Sequence, residues 1–176
     1  MDFAVDQSKY QVRFDWGTAG AEATQSGADA VIWVDQLATV ADTAAATQPE
    51  PDGALVLATV QNAKAVADWV LARQHERGGR FVVTVIAAGD ARADGSARFA
   101  VEDLLAAGAV IDALTAVGLD HCSPEAAAAS AAYTGLTQAL KHLIKNSVSG
   151  VQGGATALDL SPTDTVTVLK EPAPVV

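Results

Sequence analysis

Among its 176 residues the chain has a single cysteine, Cys122, so no disulfide can form within it. That usage suits a reducing compartment, and a cytoplasmic location is expected. Basic residues are scarce as well: 11 Lys and Arg face 21 Asp and Glu, giving a formal net charge of −10. A general nucleic-acid binder needs cations to displace counterions from phosphates, and anionic lipid attracts polybasic segments. The composition argues against both partners. The longest strongly apolar stretch, Leu104 to Ile111, falls far short of the ~20 residues that span a bilayer. The start, Met1 to Asp6, is acidic and lacks the positively charged region of a signal peptide. No Cys/His spacing resembles a zinc site, and neither G-x-G-x-x-G nor the Walker pattern occurs.

Hydrophobic residues make up 50% of the chain, ample for one buried core. At roughly 150 residues per domain, residues 1–176 form a single domain. Val12, Phe14 and Trp16 alternate with Arg13 and Asp15 in a strand that starts near Tyr10, and Gly17 and Gly20 then mark a turn. Three fully apolar runs follow, at 30–34, 54–60 and 81–86, as expected of strands buried on both faces. Helical patterns separate them: an alanine-rich segment from Leu37 to Thr47, and a helix capped by Asn62 that ends near Gly78. A polar loop from Ala91 to Arg98 leads into a helix from Ala100 to Val117. Another starts at Ser123-Pro124 and runs to Lys145, with Gly135 as its weak point. A glycine-rich turn at 150–154 precedes a β-branched stretch at Thr165–Leu169. Strands alternating with helices predict an α/β fold, a three-layer domain with a mostly parallel sheet and helices on both faces.

Ligands of such sheets bind beyond the carboxyl ends of the strands. Those ends deliver Asp35, then Gln61 and Asn62, then Gly89 and Asp90, and the next helix opens with Arg98, Glu102 and Asp103. If the strands are neighbours, several carboxylates and one arginine share a rim. Crowded carboxylates suit a hard cation such as Mg²⁺, with Arg98 available to a phosphate. Each residue also has a plainer reading: Asp after a strand forms turns, and Glu102 and Asp103 complement a helix dipole. Asp120-His121-Cys122 groups three reactive side chains, but nothing in the sequence activates the thiol.

The segment from Asp94 to Val110, with Glu102-Asp103 inside it, resembles the 2-phosphosulfolactate phosphatase family. The similarity extends to Ala88-Gly89-Asp90, Asn62-Ala63-Lys64-Ala65-Val66-Ala67, Val34-Asp35-Gln36-Leu37 and Ser123-Pro124-Glu125-Ala126. It implies a Mg²⁺-dependent phosphatase acting on a small anionic hydroxy-acid phosphate, a step of coenzyme M synthesis. By that analogy Asp35, Glu102 and Asp103 are catalytic, and Asp35, Asp90 and Glu102 bind metal. Asn62, Ser96 and Arg98 would then hold the substrate. Ala38 stands where the family carries an arginine after Asp-x-Leu, and the segment before Asn62 is short. A second reading therefore stays open, an inactive relative serving as a binding or assembly module. The alanine-rich helices and the aromatic first strand also lead us to expect a homo-oligomer.

Overall fold

The computed structural model describes residues 5–39, 48–92, 97–155 and 157–171. Five strands form one sheet: β1 (Val12–Trp16), β2 (Ala30–Val34), β3 (Ala54–Ala58), β4 (Val83–Ala87) and β7 (Thr167–Lys170). Their spatial order is β1-β4-β2-β3-β7; the first four are parallel, and β7 runs antiparallel along the outer edge of β3. A two-residue ribbon, β5 (Asp90–Ala91) with β6 (Ala97–Arg98), follows β4. The helices are α1 (Gly17–Thr24), α2 (Ala63–Arg77), α3 (Val101–Ala116), α4 (Pro124–Leu136), α5 (Leu140–Lys145) and α6 (Val148–Gln152).

Strand alternation sorts the side chains into two layers. Val12, Phe14, Ile32, Val34, Val56, Val83 and Val85 face the principal core with α2, α3 and α4. Val31, Trp33, Leu55, Leu57 and Ile86 face the opposite side, where Ala21 of α1 packs. Helices thus cover both faces, as the apolar strand runs predicted. Right-handed crossovers account for the split, because the β1-to-β2 and β3-to-β4 connections move in opposite directions across the sheet.

Several local expectations need correction. Gly17 and Gly20 do not form a turn but lie in α1; a φ of +60° at Gly17 turns the chain directly from strand into helix. A side chain at Gly20 would meet Asp15 Cβ at 2.8 Å, so glycine lets α1 lie against the strand it leaves. Residues 37 and 38 lie in a bend and 39 is irregular rather than helical, and 40–47 fall outside the described residues. Asn62 precedes α2 but makes no side-chain cap, since its Oδ1 accepts the Thr59 N–H instead. The long helix expected up to Lys145 divides into α4, a 3₁₀ turn (Thr137–Ala139) and α5. Gly150 is not in a loose turn; it is buried in α6, where a Cβ would strike the Ile144 carbonyl. Ser123 does cap α4, its Oγ accepting the Ala126 N–H at 3.1 Å, with Pro124 in the first turn.

Candidate functional site

After β2 the chain turns toward β3, whereas after β4 it passes through the β5–β6 ribbon into α3. Neighbouring strands whose chains diverge leave a crevice at their carboxyl ends, where open α/β sheets bind ligands. Asp35 and Gln36 leave β2 on one side of it. Gly89 and Asp90 leave β4 on the other, and the first turn of α3 brings in Glu102 and Asp103.

Asp103 is 3% exposed and ties the rim together. Its Oδ1 accepts the Gln36 N–H at 2.9 Å, and its Oδ2 accepts the Gly89 N–H at 3.0 Å. Gly89 has a φ of +69°, a left-handed conformation that glycine adopts without strain. Gln36, which the sequence did not single out, extends the link to β3. It donates to Gln61 Oε1 at 3.0 Å, and its own Oε1 accepts the Val60 N–H at 2.8 Å. No local pattern marks that residue, because its partners lie some 25 positions away.

Glu102 is 2% exposed, and its buried Oε2 has no hydrogen-bond partner among the described residues. Such an orphaned oxygen is costly and calls for a physical account. Asp35 lies close enough to feel Glu102 and Asp90 electrostatically. Burial raises its proton affinity, those two charges raise it further, and N–H bonds from Ala38 and Leu37 oppose the rise. Asp103 is raised well above the usual carboxylate range, mainly by burial and then by Asp35, against the pull of the Gln36 N–H. Perturbed acids concentrated in a crevice are a recurrent mark of functional sites.

The other sequence candidates are distributed around this centre. Asp90 accepts from Arg98 Nη2 at 2.6 Å and from the Ser149 hydroxyl at 3.2 Å. Arg98 also reaches Ser149 Oγ at 2.8 Å and the Phe99 carbonyl at 3.0 Å. Asn62 is buried, and its amide donates to the Leu57 and Thr165 carbonyls while its oxygen holds the Thr59 N–H. Ser96 lies outside the described residues. Among the described residues no three His, Cys, Asp or Glu side chains converge as a ligand set, so Asp35, Asp90 and Glu102 do not form a closed cage. Cys122 and His121 part company: the thiol lies 3.8 Å from Thr115 Oγ1, whereas the imidazole Nδ1 meets Arg80 Nη2 at 2.7 Å. Burial pushes the Cys122 thiol up, away from the reactive thiolate.

Two small cavities open at this end of the sheet. One, of about 180 Å³, is lined by Trp33, Asp35, Thr59, Asn62 and threonines of the segment leading into β7. The other, of about 170 Å³, lies between Trp16, Gly89, Arg98 and Phe99.

The family model for 2-phosphosulpholactate phosphatase matches residues 13–152, about four-fifths of the chain. The chain belongs to the 2-phosphosulpholactate phosphatase family. The matched stretch runs from β1 to α6, so every carboxylate of the crevice, together with Asn62 and Arg98, lies inside it. Phosphatase chemistry on a small phosphorylated substrate is the coarse function that membership carries. No curated protein matches the chain. Among the described residues no helix is long and apolar enough to cross a membrane.

Proposed function

We propose that this 2-phosphosulpholactate phosphatase-family protein hydrolyses a small phosphomonoester with Mg²⁺ held between Asp35 and Glu102. The buried, unpartnered Oε2 of Glu102 beside the perturbed Asp35 carries the reading. Oxygen donors of this kind fit a hard cation, and Mg²⁺ commonly takes only one or two carboxylates, completing its shell with water and substrate phosphate. A closed protein cage is therefore not required. Bound there, Mg²⁺ would neutralise charge on the phosphoryl oxygens.

The chain's own groups supply the rest. Arg98, at the mouth of the crevice, presents a guanidinium that can pass from Asp90 to phosphate oxygens, for which its planar fork is suited. The first turn of α3, whose Ala100 cap residue offers no capping side chain, turns backbone N–H groups toward an anion. Asp35 would take the proton from the attacking water at the carboxyl oxygen that does not hold the metal. Asp103 has both oxygens committed to backbone N–H groups, so in this scheme it positions Gln36 and Gly89 rather than reacting. Ser96 is assigned to the substrate only by its place in the family motif. A phosphorylated hydroxy acid of the kind the family is named for, in coenzyme M biosynthesis, is the first substrate to assay.

Phosphate release from a panel of small phosphomonoesters, with and without Mg²⁺, tests the proposal. Metal-dependent turnover is expected, with Glu102→Gln and Asp35→Asn each losing about 10²-fold or more in kcat. Absence of turnover across the panel at millimolar Mg²⁺, or full activity in Glu102→Gln, would overturn it.

A further inference from the structure

Asp90 and Arg98 face each other across the β5–β6 ribbon, and their ion pair at 2.6 Å follows from that register. A third group joins the pair from 51 positions farther along the chain. The Ser149 hydroxyl accepts from Arg98 Nη2 at 2.8 Å and donates to Asp90 Oδ2 at 3.2 Å, so one side chain touches both partners. Ser149 lies in α6, and that short helix is pinned in place. Ser147 Oγ accepts the Gly150 N–H at 3.1 Å and donates to the Ile144 carbonyl at 2.9 Å. Gly150 is buried against the Ile144 and Lys145 carbonyls, too close for any Cβ. The helix gains little from apolar burial, since its two valines, Val148 and Val151, stay 50% and 65% exposed. What its anchoring delivers to the mouth of the crevice is the Ser149 hydroxyl.

An anion entering the crevice competes with Asp90 for the Arg98 guanidinium, two negative acceptors for one cation. The guanidinium is held at Nη1 by the Phe99 carbonyl at 3.0 Å and at Nη2 by Asp90 and Ser149 together. As it turns toward a phosphate, Asp90 loses a charge-assisted bond, and that loss opposes the transfer. A hydroxyl suits both sides of the exchange, because it is donor and acceptor at once. Its O–H stays on Asp90 and offsets part of the loss there. Its oxygen remains an acceptor for Nη2, which keeps the guanidinium at the mouth while its other N–H groups reach the ligand.

We propose that Ser149 is a positioning residue, a pivot that holds Arg98 at the crevice and supports Asp90 while the guanidinium passes to the substrate phosphate. The proposal rests on the phosphatase reading for its reaction, but binding of the anion can be measured without turnover. A hydroxyl that merely stapled α6 to the ribbon would alter unfolding and leave phosphate binding alone.

Inorganic phosphate, titrated calorimetrically in the presence of Mg²⁺, is the probe. Ser149→Ala removes the acceptor for Arg98 and the donor for Asp90, and both losses disfavour the transfer. The Kd for phosphate should therefore rise about three- to tenfold. Ser149→Thr keeps the hydroxyl and should restore binding. With a phosphomonoester that is turned over, Ser149→Ala should raise KM by a similar factor and lower kcat by less. Added to Arg98→Gln, where no guanidinium remains to be placed, it should bring no further weakening. Weaker phosphate binding in Ser149→Ala without phosphate release from any ester would sink the phosphatase reading and sustain the role of Ser149. An unchanged Kd in Ser149→Ala, an equal loss in the Arg98→Gln background, or failure of the parent protein to bind phosphate would overturn the inference. Metal-dependent turnover alongside an unchanged Kd would leave the phosphatase standing.

Discussion

Asp35 and Asp103 are both acids drawn toward protonation by burial, yet their asparagine variants should behave in opposite ways. A carboxyl whose folded affinity for protons is raised contributes stability below the unfolded value, and loses it as pH rises through the folded value. Asp35→Asn removes that loss. The melting temperature of the variant relative to the parent should therefore climb between pH 4 and pH 7.5, read by thermal unfolding at both pH values. A flat difference would mean that Asp35 is not electrostatically strained. Asp103→Asn also removes a buried charge, but it sets an NH₂ group against one of two backbone N–H donors, those of Gln36 and Gly89. An unsatisfied buried donor costs about 1–3 kcal/mol, so this variant should melt lower at neutral pH, and the amides of Gln36 and Gly89 should exchange faster with solvent. The family resemblance made both acids catalytic and gave Asp35 a metal as well. The partners of Asp35 are local, whereas those of Asp103 lie 14 and 67 positions away, which is invisible to spacing.

At the scale of elements, α3 packs tightly on α4, and Gly108 permits the approach. A Cβ there would collide with the Ala129 carbonyl and come within 2.7 Å of Tyr133 Cβ. Gly108→Ala gains roughly 1 kcal/mol of helix propensity. Against that stands overpacking of about 1–3 kcal/mol. Net destabilisation in chemical denaturation is expected, and a stabilised variant would show that the helices can separate without cost. Ser123, the buried cap of α4, should lose about 1 kcal/mol on replacement by alanine, measured in the same way. The start of α4 was legible because Ser-Pro-Glu is a local signal. The start of α1 was not: glycine reads as a turn former, and the helix exists because Gly20 lets the backbone approach Asp15.

For the whole molecule, the net charge of −10 means that self-repulsion opposes the compact state and that any added salt relieves part of it. Thermal unfolding should shift upward as NaCl rises from 10 to 150 mM. At matched ionic strength, millimolar Mg²⁺ should add a further shift, because a ligand bound only by the native state stabilises it. Glu102→Gln should keep the NaCl effect and lose the Mg²⁺ increment; equal responses to the two salts would remove the site-specific part.

The amino-acid sequence alone determined the layered α/β architecture, since continuous apolar runs can be buried only with helices on both faces of a sheet. It also identified the acids and the arginine at the strand ends, because strand termini are local features. Tertiary structure decided the rest. It committed Asp103 to two backbone N–H groups, paired Asp90 with Arg98, left Glu102 Oε2 without a partner among the described residues, and brought the segment leading into β7 against the cavity that holds Asp35. The cause is physical: hydrogen bonds and electrostatic strain depend on which distant segments meet, and the chain fixes those meetings only when β4 inserts between β1 and β2 and β7 closes on β3.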